Sequence, residues 1–568
     1  MRFSLAVIPE RRYEVTTDSL ELGLGDGVTL RSTVWRPRGP GRFPILLIRT
    51  PYNRQHGQDH VFAHPSWYAS YGFAVVAQDM RGRWGSGGEF EPFLDEAQDG
   101  LETVAWAASL PFSDGRVGMT GMSYPALAQL HAAAGDPAPL KAFAPIMAPA
   151  DPYRDWVFTN GAFALAFNLG WATFIASETA RRAADGPAAL ALLNANADYS
   201  TSLNHLPLRE LAGREQYAPF YYEWLRHPHY DAYWRSRDAS GPLPRVRAPA
   251  FTIGGWYDVF LEGSIRAHAA FTSGSEADHA RLVLTPWWHA PHGRYVGILD
   301  YGEQAGADWL DTSLLRFFAQ HLRGDDAYET PAVRVFVTGA NRWEHFETWP
   351  PIATTTTYYL RSTQRANSLN GDGRLSLEPP ENEHPDCFTY EPSMPTPSLG
   401  GRSGGAPPMA PVGPADQRPV EMSNGVLVYT SENLARGLLV AGELQFVLHA
   451  MTSAKETDWT VKVCDVHPNE EAINLQETIW RTSNGPGGAP PPNEATEFLI
   501  PVGNLCHLFR PGHRIRVEIS SSSFPHWDRN LNTGNPLGVD SLADRVVATQ
   551  TVLHERAHPS RLLLPVLD

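Results

Sequence analysis

The chain has few cysteines and a shortage of positive charge, and each shortage excludes a class of protein. Only Cys387, Cys464 and Cys506 occur among 568 residues, and no two of them form a C-x-x-C pair. Neither a disulfide framework nor a cysteine zinc site is therefore expected. Lysine and arginine number 46 against 62 aspartates and glutamates, which gives a formal net charge of −16. Because such a surface repels phosphate backbones, we expect no nucleic-acid partner.

The sequence also lacks a clean membrane-spanning run and a full signal peptide. Residues 156–177 are uncharged, but asparagines, threonines and glycines interrupt them. We therefore predict a buried or pocket-lining helix pair there and no membrane partner. Residues 1–12 carry charges around a short apolar patch, which favours a cytoplasmic protein. No H-E-x-x-H, EF-hand or phosphate-loop pattern occurs, so we expect no metal and no cofactor.

What the chain does contain is enough apolar material for several packed domains, at 42% hydrophobic residues. A hairpin is predicted from residues 19–24 and 28–35. Short apolar runs then alternate with helical patterns, which predicts a parallel sheet. The strands are expected at residues 45–48, 73–77, 117–120 and 140–146. The two helices should begin at Asp95, with Gln98 completing a capping box, and near Pro125.

The alternation stops between residues 151 and 241, where helical stretches rich in alanine, leucine and aromatic residues predict an inserted cap. It resumes with strands at 250–253 and 282–284 and helices at 260–271 and 308–322. After Gly324 the apolar residues alternate with a period of two, which predicts a β-sandwich. Residues 391–419 hold eight prolines and five glycines, and residues 485–493 are similar. Both segments should be loops.

A candidate nucleophile stands in Gly121-Met122-Ser123-Tyr124, between a predicted strand and a predicted helix. This is the position of a nucleophile elbow, whose sharp turn needs a small residue two places before the serine. Gly121 meets that need. Pro125 replaces the usual second glycine, and proline is tolerated in the first turn of a helix. Ser123 is therefore the predicted nucleophile.

A serine hydroxyl needs a histidine base, and the base needs an acid that fixes its tautomer. Asp258 follows the strand at 250–253, and His289 follows the strand at 282–284. The order Ser123, Asp258, His289 is that of α/β-hydrolases. His292 is a rival base three residues further on.

Several further segments complete a pattern that resembles the CocE/NonD hydrolases, the group of cocaine esterase and the Xaa-Pro dipeptidyl-peptidases. The resemblance spans nearly the whole chain, although this family usually has a small apolar residue and glycine after the elbow tyrosine, where this chain has Pro125-Ala126. The segments are Arg49-Thr50-Pro51-Tyr52, Gln78-Asp79-Met80-Arg81-Gly82, the elbow, Gly255-Trp256-Tyr257-Asp258, Pro286-Trp287-Trp288-His289 and Asp465-Val466-His467-Pro468.

The resemblance implies an α/β fold with three parts. Residues 1–150 and 242–328 should form an α/β-hydrolase core, residues 151–241 an inserted helical cap, and residues 329–568 a C-terminal β jelly roll. It also implies that Ser123 attacks the substrate carbonyl, that His289 moves its proton and that Asp258 orients His289. The Tyr52 hydroxyl and the Tyr124 backbone N–H would form the oxyanion hole.

Aromatic residues supply the candidate substrate pocket. Trp84 and Trp287 are candidate pocket walls, although aromatic residues near a site are more often scaffold. Trp171 and Phe174 continue a near-helical spacing from Phe163, which predicts core packing with one face lining an acyl pocket. Asp79 and Arg81 are interpreted as an ion pair that fastens loops.

These features predict a serine hydrolase that cleaves small-molecule esters, with amides as a second substrate class, through an acyl-enzyme. An Xaa-Pro dipeptidyl-peptidase and a β-lactam acylase or acyltransferase would use the same triad. A non-catalytic carbohydrate-binding protein is an alternative of another class, against which the intact serine, aspartate and histidine set argues. The sequence leaves a homo-oligomer open.

Overall fold

The computed structural model describes residues 11–274, 279–326, 330–402, 412–485 and 487–567. Most of the N-terminal segment that favoured a cytoplasmic location lies outside the described residues. So do residues 403–411 and 486 of the two predicted loops. Within the first loop, Gly401 pairs with Gly413 and Pro397 pairs with Phe524, so its described parts lie against the C-terminal sheet.

The first part of the chain alternates strands and helices as predicted. β1 and β2 form the expected antiparallel hairpin, and β3 lies parallel to both β4 and β5. The predicted capping box is wrong: the Asp95 carboxylate makes no cap bond and lies 3.7 Å from Arg81, and Gln98 bonds Glu102. The elements are β1 Val15–Gly23, β2 Thr29–Pro37, β3 Phe43–Thr50, α1 Pro65–Ser70, β4 Ala74–Asp79, α2 Glu96–Ser109, β5 Ser113–Met122, α3 Tyr124–Ala134 and β6 Leu140–Ile146.

The cap contains five α-helices among its described residues, but the predicted helix pair at residues 156–177 is wrong. Asn160 and Gly161 both have positive φ, and they reverse the chain in a short hairpin that precedes a single helix. Across the described ranges, no helix combines the length and the apolar character needed to cross a membrane. The elements are a π-helical turn at Pro152–Val157, β7 Phe158–Thr159, β8 Ala162–Phe163, α4 Leu165–Arg182, α5 Gly186–Ala197, α6 Tyr199–Asn204, α7 Pro219–Arg226 and α8 Ala232–Arg235.

The chain then returns to the first sheet through β9 Ala250–Gly255, α9 Leu261–Thr272, β10 Ala280–Thr285, β11 Tyr295–Val296, β12 Leu299–Asp300, α10 Leu310–Phe318, β13 Val333–Val337 and β14 Arg342–Phe346. The order of this ten-stranded sheet is β1-β2-β4-β3-β5-β6-β9-β10-β13-β14. The sequence assigned residues from 329 onwards to the β-sandwich. However, β13 is wholly buried and lies parallel to β10, so the hydrogen bonding puts the change of sheet after Phe346.

The C-terminal region is a twelve-stranded β structure around a core of its own. Alternate residues such as Leu444, Phe446 and Leu448 are buried in that core, as the period of two predicts. The elements are β15 Thr354–Arg361, β16 Arg374–Ser376, β17 Asp386–Tyr390, α11 Arg418–Glu421, β18 Leu427–Ser431, β19 Leu438–Thr452, β20 Asp458–Val466, β21 Ala472–Arg481, β22 Thr496–Phe509, β23 Arg514–Ser520, β24 Ala548–Glu555, β25 His558–Pro559 and β26 Arg561–Leu567.

A buried ion cluster joins the cap to the C-terminal region. The Arg481 guanidinium contacts Asp458 at 2.8 Å and Asp528 at 2.9 Å, and all three side chains are buried. Asp528 also accepts a hydrogen bond of 2.8 Å from the backbone N–H of Phe163 in the cap. The backbone N–H of Arg481 donates to the Asn160 carbonyl of the cap. The position of the cap hairpin therefore depends on this cluster.

We expect Arg481→Leu to destabilise the protein by about 3–5 kcal/mol, because two buried carboxylates lose their cation. The matched control is Arg514→Leu, which breaks a half-exposed ion pair with Glu470. That pair should be worth about 1 kcal/mol or less. Urea unfolding followed by tryptophan fluorescence measures both changes. Equal unfolding midpoints for the two variants would contradict the role assigned to the cluster.

Candidate active site

Ser123 occupies a strained turn between β5 and α3. Its φ of 70° and ψ of −129° are rare for a residue with a side chain, and its N–H donates to the Ile146 carbonyl at 3.0 Å. Gly121 has a φ of +140°, and a Cβ added there would lie 2.6 Å from the Pro125 Cβ. Only glycine fits this position, so the chain has the geometry of the predicted elbow.

Two buried glutamines hold the backbone of the elbow. The Gln58 Oε1 accepts the Met122 N–H at 2.9 Å, and its Nε2 donates to the Met122 carbonyl at 3.0 Å. The Gln129 Nε2 donates to the Gly121 carbonyl at 3.1 Å, and its Oε1 accepts the Ala144 N–H. The backbone that carries Ser123 is therefore clamped by side chains outside the motif.

His289 and Asp258 form a directly bonded pair. The His289 Nδ1 lies 2.6 Å from the Asp258 Oδ2, and Asp258 is wholly buried. The second oxygen of Asp258 accepts the Phe260 N–H at 2.8 Å. Because β5, β6, β9 and β10 are parallel neighbours, the loops that carry Ser123, Asp258 and His289 leave the same edge of the sheet.

His292 has a different environment from His289. Its Nε2 lies 3.1 Å from the His289 carbonyl oxygen, and its ring stacks on Trp287 at 4.6 Å. Burial lowers the pKa of His292 to about 3. His292 thus donates a hydrogen bond to the backbone carbonyl of His289, whereas the His289 ring bonds the Asp258 carboxylate.

The Tyr52 hydroxyl lies beside the serine turn. It accepts a hydrogen bond of 2.9 Å from the Trp171 indole N–H on α4. Burial raises the pKa of Tyr52 to about 12, while hydrogen bonds with Trp171 and Ser123 oppose that shift. Tyr52 is therefore a neutral phenol at physiological pH, within bonding range of the candidate nucleophile.

The loop that carries Tyr52 is fixed through the carbonyl of Pro51. Both the Arg83 Nε, at 3.2 Å, and the Trp84 indole N–H, at 3.0 Å, donate to it. Arg83 is wholly buried and also donates to the Thr179 hydroxyl of α4 at 2.9 Å. Trp84 packs under the Arg181 guanidinium at 4.5 Å. Trp84 therefore supports the Tyr52 loop. It also lines a surface cavity with Asn53 and Arg181, and its role as a wall of the substrate pocket stays a prediction.

The Tyr124 side chain belongs to the core, while its backbone begins α3. Its hydroxyl donates to the Glu96 Oε1 at 3.1 Å and accepts the Phe93 N–H at 2.8 Å. Glu96 in turn binds the buried Arg49 at 3.0 Å. Burial raises the pKa values of both Tyr124 and Glu96. The Tyr124 ring stacks on Trp171 at 5.9 Å, so the cap contacts the elbow directly.

The remaining pocket candidates separate into two groups. Trp171 and Phe174 lie on α4 beside Tyr52, and the Phe174 side chain is 40% exposed with its ring 6.1 Å from that of Tyr52. Trp287, by contrast, is wholly buried and donates to the Ala305 carbonyl at 2.6 Å. Trp287 stacks on His292 and Trp309 in the core, and because it has no exposed surface its assignment as a pocket wall is wrong.

Asp79 and Arg81 each fasten a loop, but to separate partners. Asp79 binds the Arg54 guanidinium and accepts the Arg54 N–H at 2.7 Å. Arg81 forms a two-point ion pair with Asp99 on α2, at 2.6 and 3.1 Å, and also reaches Asp26. The two residues are therefore not an ion pair with each other.

Residues 26–291 match the family described as X-Pro dipeptidyl-peptidase (S15 family), and residues 326–563 match the X-Pro dipeptidyl-peptidase C-terminal non-catalytic domain. The chain is also 34% identical to the cocaine esterase of Rhodococcus sp. (strain MB1 Bresler) over 580 residues. That alignment covers 98% of this chain and 99% of the relative. The chain belongs to the CocE/NonD hydrolase family.

Solved structures confirm the fold of this CocE/NonD hydrolase. An aminopeptidase from the marine sediment archaeon Thaumarchaeota archaeon matches with a TM-score of 0.82, and 24% identity, over 100% of this chain and 99% of that chain. An α-amino acid ester hydrolase matches with the same TM-score and identity over 98% and 97%. An α/β-hydrolase core with a β-rich C-terminal domain is therefore the fold.

Sequence reasoning missed the supports of the CocE/NonD site. Gln58, Gln129 and Arg83 lie in no catalytic motif, and their partners are backbone groups that no local pattern indicates. The one available signal was position, because Gln58 follows Tyr52 in the loop after β3 and Arg83 follows Arg81 after β4.

We expect Gln58→Leu to destabilise the protein by about 1–3 kcal/mol, because the buried Met122 N–H and carbonyl lose their partners. Gln55→Leu is the matched control, since the Gln55 side chain is exposed on the same loop. Thermal unfolding measures the difference. A Gln58→Leu variant as stable as Gln55→Leu would show that the elbow does not need the clamp.

Proposed function

We propose that this hydrolase cleaves carboxylic esters through a covalent acyl-enzyme on Ser123, with amides as a second substrate class. The observation that carries the proposal is the 2.6 Å bond between His289 and the wholly buried Asp258, at the sheet edge from which the strained Ser123 turn also leaves. A buried carboxylate on one ring nitrogen fixes the tautomer and leaves the other nitrogen free to take a proton.

The reaction follows from this arrangement. The Ser123 Oγ attacks the ester carbonyl and its proton passes to the His289 Nε2, because Asp258 holds Nδ1–H. The imidazolium returns that proton to the departing alkoxide, which leaves as the alcohol. Water then adds to the acyl-enzyme, giving its proton to His289, and the acid is released as Ser123 is reprotonated.

The Tyr52 hydroxyl and the Tyr124 N–H are the proposed donors to the developing oxyanion. The Tyr52 oxygen already accepts from Trp171, so its single proton is free to be donated towards Ser123. The raised pKa of Tyr52 keeps that proton in place at neutral pH. The Tyr124 N–H belongs to the first turn of α3, where backbone donors lack intrahelical partners.

The apolar cap and the esterase relative support an ester substrate over a peptide substrate. Trp171 and Phe174 give α4 an apolar face beside Tyr52, which suits an apolar acyl group. The relative that aligns over nearly the whole chain is named a cocaine esterase. The S15 match keeps Xaa-Pro dipeptidyl-peptidase activity as the second candidate, and a screen of aryl esters, anilides and Xaa-Pro substrates separates the two. The cytoplasmic location stays a prediction.

We expect Ser123→Ala to abolish hydrolysis of short-chain aryl esters and labelling by a fluorophosphonate probe, because the nucleophilic oxygen is lost. Ser109→Ala is the control, since Ser109 is an exposed serine at the end of α2. Circular dichroism should show both variants folded. Near-full turnover by Ser123→Ala would remove Ser123 from the mechanism.

We expect Tyr52→Phe to lower kcat by roughly 10²- to 10³-fold while KM changes little, because a donor to the transition state is lost. Tyr295→Phe, at a tyrosine that is 67% exposed, is the matched control. Steady-state kinetics on one aryl ester measure both variants. A change in KM alone would contradict the oxyanion assignment.

A further inference from the structure

Three potential metal ligands converge in the C-terminal domain, outside the proposed catalytic site. Asp465 is buried on β20, His467 follows that strand, and His513 stands in the turn between β22 and β23. The His513 Nδ1 lies 2.9 Å from the Asp465 Oδ1, and the His467 Nε2 lies 3.5 Å from the Asp465 Oδ2. One ligand atom from each residue lies within 4.8 Å of the others.

We propose that Asp465, His467 and His513 bind one Zn²⁺ ion. Tetrahedral zinc with nitrogen and oxygen ligands at roughly 2.0–2.2 Å requires ligand atoms about 3.3 Å apart. The 2.9 Å between the His513 Nδ1 and the Asp465 Oδ1 is close to that value, and the His467 Nε2 lies 3.5 Å from the other carboxylate oxygen, Oδ2. Two imidazoles with one carboxylate suit a first-row transition metal, whereas Ca²⁺ and Mg²⁺ take oxygen ligands.

A fourth residue supports the carboxylate ligand. The His507 Nε2 lies 3.2 Å from the Asp465 Oδ2, and its Nδ1 lies 2.9 Å from the Thr338 hydroxyl. The Thr338 hydroxyl donates to the Cys506 carbonyl at 3.1 Å, so its oxygen accepts from the His507 Nδ1. The His507 ring lies beside the Asp465 Oδ2, which leaves Oδ1, at 2.9 Å from the His513 Nδ1, as the oxygen for the metal. Such outer partners are typical of protein metal sites.

The location favours a structural ion. The ion would link the end of β20 to the turn that joins β22 and β23. His507 also pairs with Thr338 just after β13, so this point is where the C-terminal domain meets the hydrolase sheet. The His467 side chain is 30% exposed, which gives an ion access from solvent and leaves room for a water ligand. The proposed esterase reaction does not use the site.

The test begins with the full chain freed of metal by dialysis against a chelator. Zinc is then titrated against a chromophoric indicator, and Co²⁺ is added separately to read the visible absorption of a tetrahedral site. We expect one equivalent of zinc, the Co²⁺ bands, and a Tm that rises with zinc and falls again with chelator. The His467→Ala/His513→Ala double variant should bind zinc at least about 100-fold more weakly and lose the Co²⁺ bands.

Two controls separate this site from other histidines. His384→Ala removes an exposed histidine of the same domain, and His289→Ala removes the candidate catalytic imidazole. Both should keep the bound zinc. If the double variant does not show the near-ultraviolet circular dichroism of the parent, His467→Asn replaces it, because that side chain is partly exposed. Zinc binding equal to the parent in the folded variant, or no stoichiometric zinc in the parent, overturns the proposal. In the second case the three imidazoles are only hydrogen-bond partners of Asp465.

Discussion

The sharp turn at Ser123 is the constraint on which the rest of the site depends. A residue with a side chain at a φ of 70° persists only where its surroundings over-determine the backbone. Gly121 allows the close approach of Pro125, and the Gln58 and Gln129 amides bond the backbone of Met122 and Gly121, the two residues before Ser123. Because these amides are buried, each lost bond would leave a backbone group without a partner. The free energy of these bonds therefore opposes relaxation of the strained turn at Ser123.

The α4 helix of the cap is coupled to the same turn. Trp171 on α4 stacks on Tyr124 and donates to Tyr52, while Thr179 on the same helix accepts from Arg83. A shift of α4 would therefore disturb both proposed oxyanion donors as well as the apolar wall. In the proposed mechanism, substrate preference and transition-state stabilisation are therefore linked, and changes in the cap should alter kcat together with specificity.

Much of the fold could be predicted because its signals are local. Apolar runs and turn residues predicted the strands of the first sheet as far as β10, and the position of Asp258 and His289 after two of those strands indicated the candidate triad. The predictions that failed concerned features that depend on partners elsewhere in the sequence. The capping box at Asp95 failed because Arg81 attracts that carboxylate, and β13 was assigned to the sandwich because its partner β10 lies about fifty residues earlier. The glutamine clamp has no local pattern at all, since an amide that bonds backbone looks like any surface glutamine.

The C-terminal domain is part of the support for the candidate acid. The Tyr257 hydroxyl, next to Asp258, donates to the Asn474 carbonyl on β21 at 3.2 Å. On the following helix, Glu262 accepts the Asn504 N–H on β22 at 2.9 Å. Asp258 is wholly buried, and these contacts tie the segments on both sides of it to the C-terminal domain. A hydrolase core without the β domain would lose them, so the C-terminal domain helps to fix the candidate acid even though it has a core of its own.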